Sequence, residues 1–356
     1  MTDEPIVADW QARIREAAAA AIPLHIRGGG TKDFYGEAPL GERLDTTDYA
    51  GIVDYDPTEL VITVRAGTPL DHLERAMAEH GQVLAFEPPH FGAGATIGGT
   101  VASGLSGPRR PYAGAVRDFV LGVRILDGKG EDLTFGGRVM KNVAGFDVSR
   151  LMAGALGTLG VLLDLSLKCL PLPRVERTLA FELGTADAIA RMNAWSATPM
   201  PISATCHHGD RLWVRLSGAQ PAVVAAAQTL GGEDVADAVS FWRSVRDQTA
   251  PFFASAPTLW RMSVRSTAPV VDFTGGALIE WGGALRWVAG DASVDPIKLR
   301  RVAAEQGGHA TLFRAVDKSP GVFTPLPDAL LAIHRRIKAT FDPVGILNRG
   351  RLYRTL

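Results

Sequence analysis

Gly94-Ala95-Thr96-Ile97-Gly98-Gly99-Thr100-Val101-Ala102-Ser103-Gly104 is unusually rich in small residues, yet too irregular to be a flexible linker. The same texture continues through Ser106 and Gly107. Residues this small suit a place where backbone must approach another body closely. A second such place lies upstream, where the apolar run around Leu24 and Ile26 predicts a short strand leading into Arg27-Gly28-Gly29-Gly30-Thr31-Lys32. Three consecutive glycines let backbone N–H groups converge on an anion, because no Cβ blocks a positive φ or a close approach. Alone, such a turn is equally well a bland loop. It is not the dinucleotide fingerprint, since the G-x-G-x-x-G spacing and its acidic residue are missing, nor a Walker loop, since Gly-Lys-Ser/Thr is absent. Downstream come Arg117-Asp118-Phe119-Val120-Leu121-Gly122, then Lys141-Asn142-Val143-Ala144-Gly145-Phe146-Asp147, then Gly154 and Gly157-Thr158-Leu159-Gly160-Val161.

The rest of the chain bounds the function. Its 356 residues allow about two domains of ~100–200 residues each. Lys and Arg number 37 against 38 Asp and Glu, so the basic surplus that nucleic acid requires is missing. The two cysteines, Cys169 and Cys206, exclude a disulfide framework and any iron–sulfur or Cys-rich zinc site held by this chain alone. The longest apolar run, 159–172, is broken by Asp164 and Lys168 and falls short of the ~20 residues a bilayer requires. The acidic start MTDEPIVADW lacks the layout of a signal peptide. The expectation is a cytoplasmic protein that reaches the inner face of a membrane only through a partner.

Trp10, Ile14 and Ala17 predict a first helix closed by Pro23, and residues 60–66 alternate as a strand. Thr68 and Asp71 have the spacing of a capping pair, with Pro69 at the first helical position. Residues 116–135 predict a hairpin turning at Asp127-Gly128-Lys129-Gly130, and 154–173 a long apolar strand ending in Pro-Leu-Pro. Beyond it, strands at 177–183, 201–206, 211–217, 258–265, 284–289 and 309–313 alternate with helices near 185–195, 219–230, 238–248 and 294–306. A last helix falls at about 326–340.

The motifs taken in order (R-G-G-G-T, A-T-I-G-G, R-D-x-V-L-G, K-x-x-x-G-x-D, G-T-L-G) resemble the FAD-binding domain of the vanillyl-alcohol-oxidase, or PCMH-type, flavoprotein family over roughly residues 20–173. The C-terminal Phe341-Asp342-Pro343-Val344-Gly345-Ile346-Leu347-Asn348 resembles the terminal motif of FAD-linked 2-hydroxy-acid oxidases. With 141–147 and Cys206-His207-His208-Gly209-Asp210-Arg211-Leu212-Trp213, the whole chain is similar to the FAD-binding subunits of bacterial glycolate oxidases.

That resemblance implies an α+β fold: a two-subdomain PCMH-type FAD-binding domain over 1–173, a ferredoxin-like α+β cap over 174–325, and a C-terminal segment, 326–356, packing back toward the flavin. It implies that Arg27, Gly28, Gly29, Gly30, Thr31 and Lys32 wrap the FAD pyrophosphate. Thr96, Ile97, Gly98, Gly99, Ser103, Gly104, Ser106 and Gly107 would line the ribityl chain and isoalloxazine, and Gly157, Gly160 and Val161 the adenine–ribose side. Thr31 stands where family members with covalent flavin often carry histidine, so the FAD is expected to be non-covalent. Leu156 stands where many relatives carry Glu.

The implied chemistry is oxidation of a small 2-hydroxy acid, glycolate above all, in a complex with a larger homologous flavoprotein subunit and an iron–sulfur subunit. The competing reading is a self-sufficient flavin dehydrogenase. Histidine is the usual base for such an oxidation. Catalytic relatives carry a histidine and metal constellation around Gly-Asp-Gly-Asn, whereas here His207-His208-Gly209-Asp210 is read as a turn between strands, and no metal set is expected. His72 and His80 fall on a surface helix. The catalytic candidates are His90, just before the second cluster, Arg109 and Arg110 for gripping a carboxylate, and Asn348, returning toward the ring. Arg261 and Arg265 are read as sharing one face of a cap strand, which the resemblance places over the flavin and which is equally well a salt-bridged sheet face.

Overall fold

Helix α1 (Glu4–Ala20) buries the expected Trp10, Ile14 and Ala17 in a core with Leu24, Leu126, Val161 and, from the far end of the chain, Ile346 and Leu347. The computed structural model describes residues 4–137, 147–271, 273, 275–290 and 294–356. Lys141 to Phe146 of the third motif lie outside the described residues. Among those described, no helix is long and apolar enough to cross a membrane.

Strand β1 (Leu24–Arg27) pairs in parallel with β2 (Glu42–Asp45). After β3 (Ile52–Asp56) and β4 (Val61–Arg65) comes α2 (Leu70–Ala78), which buries Leu70, Leu73 and Met77. Thr68 does not cap it. Its hydroxyl donates to the Arg65 carbonyl at 2.7 Å and accepts from the Gly51 N–H at 2.9 Å, so its one short side chain is committed to the turn before the helix. There follow β5 (Gln82–Val83), α3 (Ile97–Ser103), α4 (Arg110–Ala113), β6 (Val120–Leu126), β7 (Asp132–Gly136), α5 (Val148–Met152), β8 (Val161–Lys168) and β9 (Leu170–Pro171). A five-stranded antiparallel sheet of order β3-β4-β8-β6-β7 forms the centre of this half. Residues 154–160 are turns rather than strand, because Gly154 and Gly157 adopt φ of 87° and 71°, and the strand starts only at Val161.

The second half is built on one antiparallel sheet. Its elements are β10 (Val175–Glu182), α6 (Thr185–Ser196), β11 (Ile202–His208), β12 (Arg211–Gly218), α7 (Gln220–Leu230), β13 (Glu233–Asp234), α8 (Ala238–Arg246), α9 (Pro251–Ala254), β14 (Thr258–Ser263), β15 (Ala277–Glu280), β16 (Leu285–Gly290), α10 (Pro296–Glu305) and β17 (His309–Arg314). The eight strands run in the order β13-β10-β12-β11-β15-β16-β14-β17. On one face, Ala188 and Met192 of α6, Val223 and Ala227 of α7, and Leu299 and Ala303 of α10 pack against the sheet. On the other, Leu259, Leu278, Leu285, Trp287 and Phe313 meet Tyr35, Leu105 and Leu156 from the first half. Arg261 and Arg265 do not share a strand face: β14 ends at Ser263, and Arg265 turns away to bond the Gln306 carbonyl through both its backbone N–H and its side chain. Strand β15 has no counterpart in the sequence expectation.

Helix α11 (Asp328–Phe341) ends at a buried pair. Lys338 Nζ donates to Asp342 Oδ2 at 2.6 Å and to the carbonyls of Thr158 and Leu347. Asp342 in turn accepts the N–H groups of Gly345, Ile346 and Leu347. The aspartate thus folds the C-terminal motif on itself and lays it beside β1, where Leu24 N–H donates to Ile346 O at 2.8 Å and Asn348 N–H to Leu24 O at 2.9 Å.

Candidate functional site

The loop after β1, the start of α3, residues 156–160 and the C-terminal motif line one cleft. Gly29 stands in it for a steric reason: a Cβ there would fall on the carbonyl oxygen of Gly94, so the two glycine clusters pack backbone against backbone. Among the described residues, the backbone N–H groups of Gly28, Gly29, Gly30, Thr31 and Lys32 find no protein acceptor. Arg27 holds the loop through an ion pair with Asp33 at 2.6 Å. Unspent N–H donors on a glycine loop form a concavity for an anion. Lys32 and Arg351 add positive charge, and burial lowers the Lys32 pKa to about 8, countered by Asp247. Burial, then the Arg351 charge, lowers that of His25, a further lining residue. A row of free donors beside small residues fits the diphosphate and the flat body of a dinucleotide.

Of the cofactor residues expected from the sequence, Arg27, Gly28, Gly29, Gly30, Thr31, Lys32, Thr96, Gly98, Gly99, Ser103, Gly157 and Gly160 line this cleft. Ile97, Gly104, Ser106, Gly107 and Val161 do not. Ile97 points from α3 into the core, and Val161 packs against α1. Gly104 is the left-handed cap of α3, while Ser106 and Gly107 wall a smaller cavity under the second sheet.

The four catalytic candidates are not brought together. Asn348 lines the cleft, but its Oδ1 accepts the Ile26 N–H at 2.7 Å and its Nδ2 donates to the Leu156 carbonyl at 2.6 Å, so it is a clamp. His90 Nε2 lies 3.0 Å from Glu74 Oε2. Arg109 pairs with Glu87 and Glu176 and donates to Ser217 Oγ, tying the first half to the second sheet. Arg110 lies over the Trp281 ring at 4.5 Å. Each polar end except that of Arg110 is consumed by a partner.

Sequence reasoning singled out Arg261 but missed Gln248, Glu280 and Arg246, which stand with it in the polar wall of the smaller cavity. Trp287 Nε1 donates to Glu280 Oε1 at 2.7 Å. Burial pushes the Glu280 carboxyl up to about 7, against the opposing pull of the Trp287 bond and Arg261. Among the described residues, no group of three or more His, Cys, Asp or Glu is placed to hold a metal ion.

A model of the FAD binding domain family matches residues 7–136. The glycolate oxidase subunit GlcE of Escherichia coli (strain K12) is 48% identical over 344 residues, covering 97% of this chain and 96% of that protein. The chain belongs to the GlcE family of glycolate oxidase subunits. Like other members of this FAD-dependent oxidoreductase family, it takes FAD as its cofactor. The GlcE-type chain is also 31% identical to the glycolate oxidase subunit GlcD of Bacillus subtilis, over 48% of this chain and only 36% of that protein. Its fold matches 4-ethylphenol oxidase from Gulosibacter chungangensis with a TM-score of 0.70 at 15% identity, covering 98% of this chain and 87% of that one. The α+β PCMH-type fold is thereby established.

Proposed function

We propose that the chain is the FAD-holding subunit of a heteromeric complex that oxidises glycolate, or a similarly small 2-hydroxy acid, to the 2-oxo acid. Its partners are a larger homologous flavoprotein subunit and an iron–sulfur subunit. The observation that carries this reading is the end-to-end match to one glycolate oxidase subunit beside a match to another that is confined to part of its length. The units are 1–173, holding the FAD, 174–325, capping it, and 326–356, closing the cleft.

When bound, the flavin supplies the hydride acceptor, and the protein supplies orientation and electrostatics. The N–H groups of Gly28 to Lys32, with Arg27 and Lys32, hold the diphosphate. Thr96, Gly98, Gly99 and Ser103 keep the α3 side of the cleft low enough for a flat ring system. Cys169 and Cys206 are both buried, and burial raises the Cys169 thiol to about 12. Two buried thiols cannot build a cluster that ordinarily takes four, so the electrons leave through a separate iron–sulfur subunit or a quinone. Any membrane attachment comes through the partners as well, at the cytoplasmic face.

The test is affinity purification of the tagged chain from its native host. A second flavoprotein and an iron–sulfur protein co-purifying in fixed ratio support the reading. A homogeneous, fully active single chain contradicts it in favour of a self-sufficient dehydrogenase.

A further inference from the structure

Helix α11 packs unlike the other long helices. Among the described residues, every other helix of eight or more residues buries at least two apolar side chains, such as Trp10 and Ile14 of α1 or Trp242 and Val245 of α8. Of the 14 residues of α11, Lys338 alone is buried. The inner side is half-buried: Ile337 and Phe341 pack against the core of the first half, and the His334 ring meets Tyr353. The outer side is exposed, apolar at its start with Ala329, Leu330, Ala332 and Ile333, then basic with Arg335 and Arg336. Leu330 and Ile333 are each 43% exposed and, three positions apart, lie side by side. Such a face has apolar area left to bury.

The charges on this face are unbalanced. Among the described residues the Arg335 and Arg336 guanidiniums have no partner, and Arg349, beyond the helix, reaches only the carbonyls of Gly345 and Val344. Of the acids on the helix and at its C-terminal end, Asp342 is taken by Lys338, which leaves Asp328 alone at the far end. Beside the helix, Arg335, Ala339, Pro343, Val344, Arg349 and Arg354 line a shallow groove. The helix is also fastened to the cofactor cleft. Lys338 holds the carbonyls of Thr158 and Leu347, the chain neighbours of the cleft residues Gly157 and Asn348.

We propose that the outer face of α11 and this groove dock the iron–sulfur subunit, through a surface on that subunit that carries an apolar ridge flanked by carboxylates. The proposal rests on the complex proposed above. Unpaired arginines beside exposed leucine and isoleucine are the complement of an acidic, partly apolar surface, and a cluster held by thiolates is itself anionic. A subunit that takes electrons from the flavin must sit near the flavin cleft, and α11 is tied to the walls of that cleft. A second copy of this chain would bring Asp328 alone against three arginines. A lipid surface is flat and would leave the groove unfilled.

The test is assembly of the FAD-loaded chain with the separately purified iron–sulfur and flavoprotein subunits, each titrated by calorimetry. The double variant Leu330→Glu, Ile333→Glu should weaken binding of the iron–sulfur subunit at least about tenfold. The double variant Arg335→Glu, Arg336→Glu should weaken it as well and flatten its dependence on salt. All four side chains are exposed, so melting temperature, FAD content and affinity for the flavoprotein subunit should stay at the parent values.

Equal binding of the iron–sulfur subunit by parent and variants overturns the surface and leaves the proposed function standing. Loss of the flavoprotein subunit instead gives the face to that partner and overturns the proposal. Loss of self-association, or of binding to phosphatidylglycerol vesicles, with the complex intact overturns it in favour of a second copy or a membrane. A parent chain that binds neither subunit overturns the proposed function, and this surface with it.

Discussion

Asn348 Oδ1 accepts the backbone N–H of Ile26, 322 positions earlier in the chain, at 2.7 Å. Through its Nδ2 the same amide holds the Leu156 carbonyl. The C-terminal motif therefore fastens two walls of the cofactor cleft to each other, and FAD retention and thermal stability should share one determinant.

Asn348→Ala leaves two backbone groups without their partner, each worth roughly 1–3 kcal/mol when buried. The expected outcome is a lower melting temperature together with a lower flavin-to-protein ratio. Asn348→Asp keeps the acceptor for Ile26 and should fall between the two. Differential scanning fluorimetry and flavin absorbance measure both on one sample.

Gly29→Ala should reduce flavin retention even though the added methyl is small. The Cβ meets the Gly94 carbonyl, so the two glycine clusters must separate and the row of N–H donors loses its geometry. Flavin absorbance per polypeptide checks this; an unchanged ratio contradicts the packing account.

The local features were legible because their causes are local. The apolar spacing of α1 and the Asp127 turn, whose Oδ1 accepts from Lys129 and Glu131, are written within a few residues. The glycine clusters are visible for the same reason. The strand β15 is not, because Ala277-Leu278-Ile279-Glu280 is short and acquires its identity only by pairing with β11 and β16. Nor is the placing of Arg261 beside Glu280 in one cavity wall, which depends on strands meeting across a sheet. Asn348 was visible as part of a motif, but its role was hidden, since its partners lie 322 and 192 positions away.

Glu280 ties stability to pH. Its folded-state pKa of about 7 lies above the ordinary 4.5. Below pH 4.5 both states are protonated and burial of the group carries no ionisation cost. As pH rises toward 7 the unfolded chain gives up this proton and the folded chain keeps it, so stability falls, by about 3 kcal/mol in all. Glu280→Gln removes that loss. Its stability relative to the parent should climb between pH 4.5 and 7 and level off above, as measured by urea unfolding across that range.

Thr31 offers no imidazole at the loop where covalent relatives attach flavin. Acid precipitation should therefore leave the yellow chromophore in the supernatant. Flavin fluorescence remaining with the washed pellet would contradict non-covalent binding.

The central claim is that this chain holds FAD and works on glycolate as part of a complex. The most direct measurement is glycolate-dependent dye reduction by the FAD-loaded chain, alone and after addition of the separately purified flavoprotein and iron–sulfur subunits. The account predicts slow reduction by the chain alone and full activity only on reconstitution, because the route for electrons out of the flavin belongs to the partners. Rates of an ordinary enzyme (~1–10³ s⁻¹) from the chain alone, unchanged when the partners are added, would contradict it.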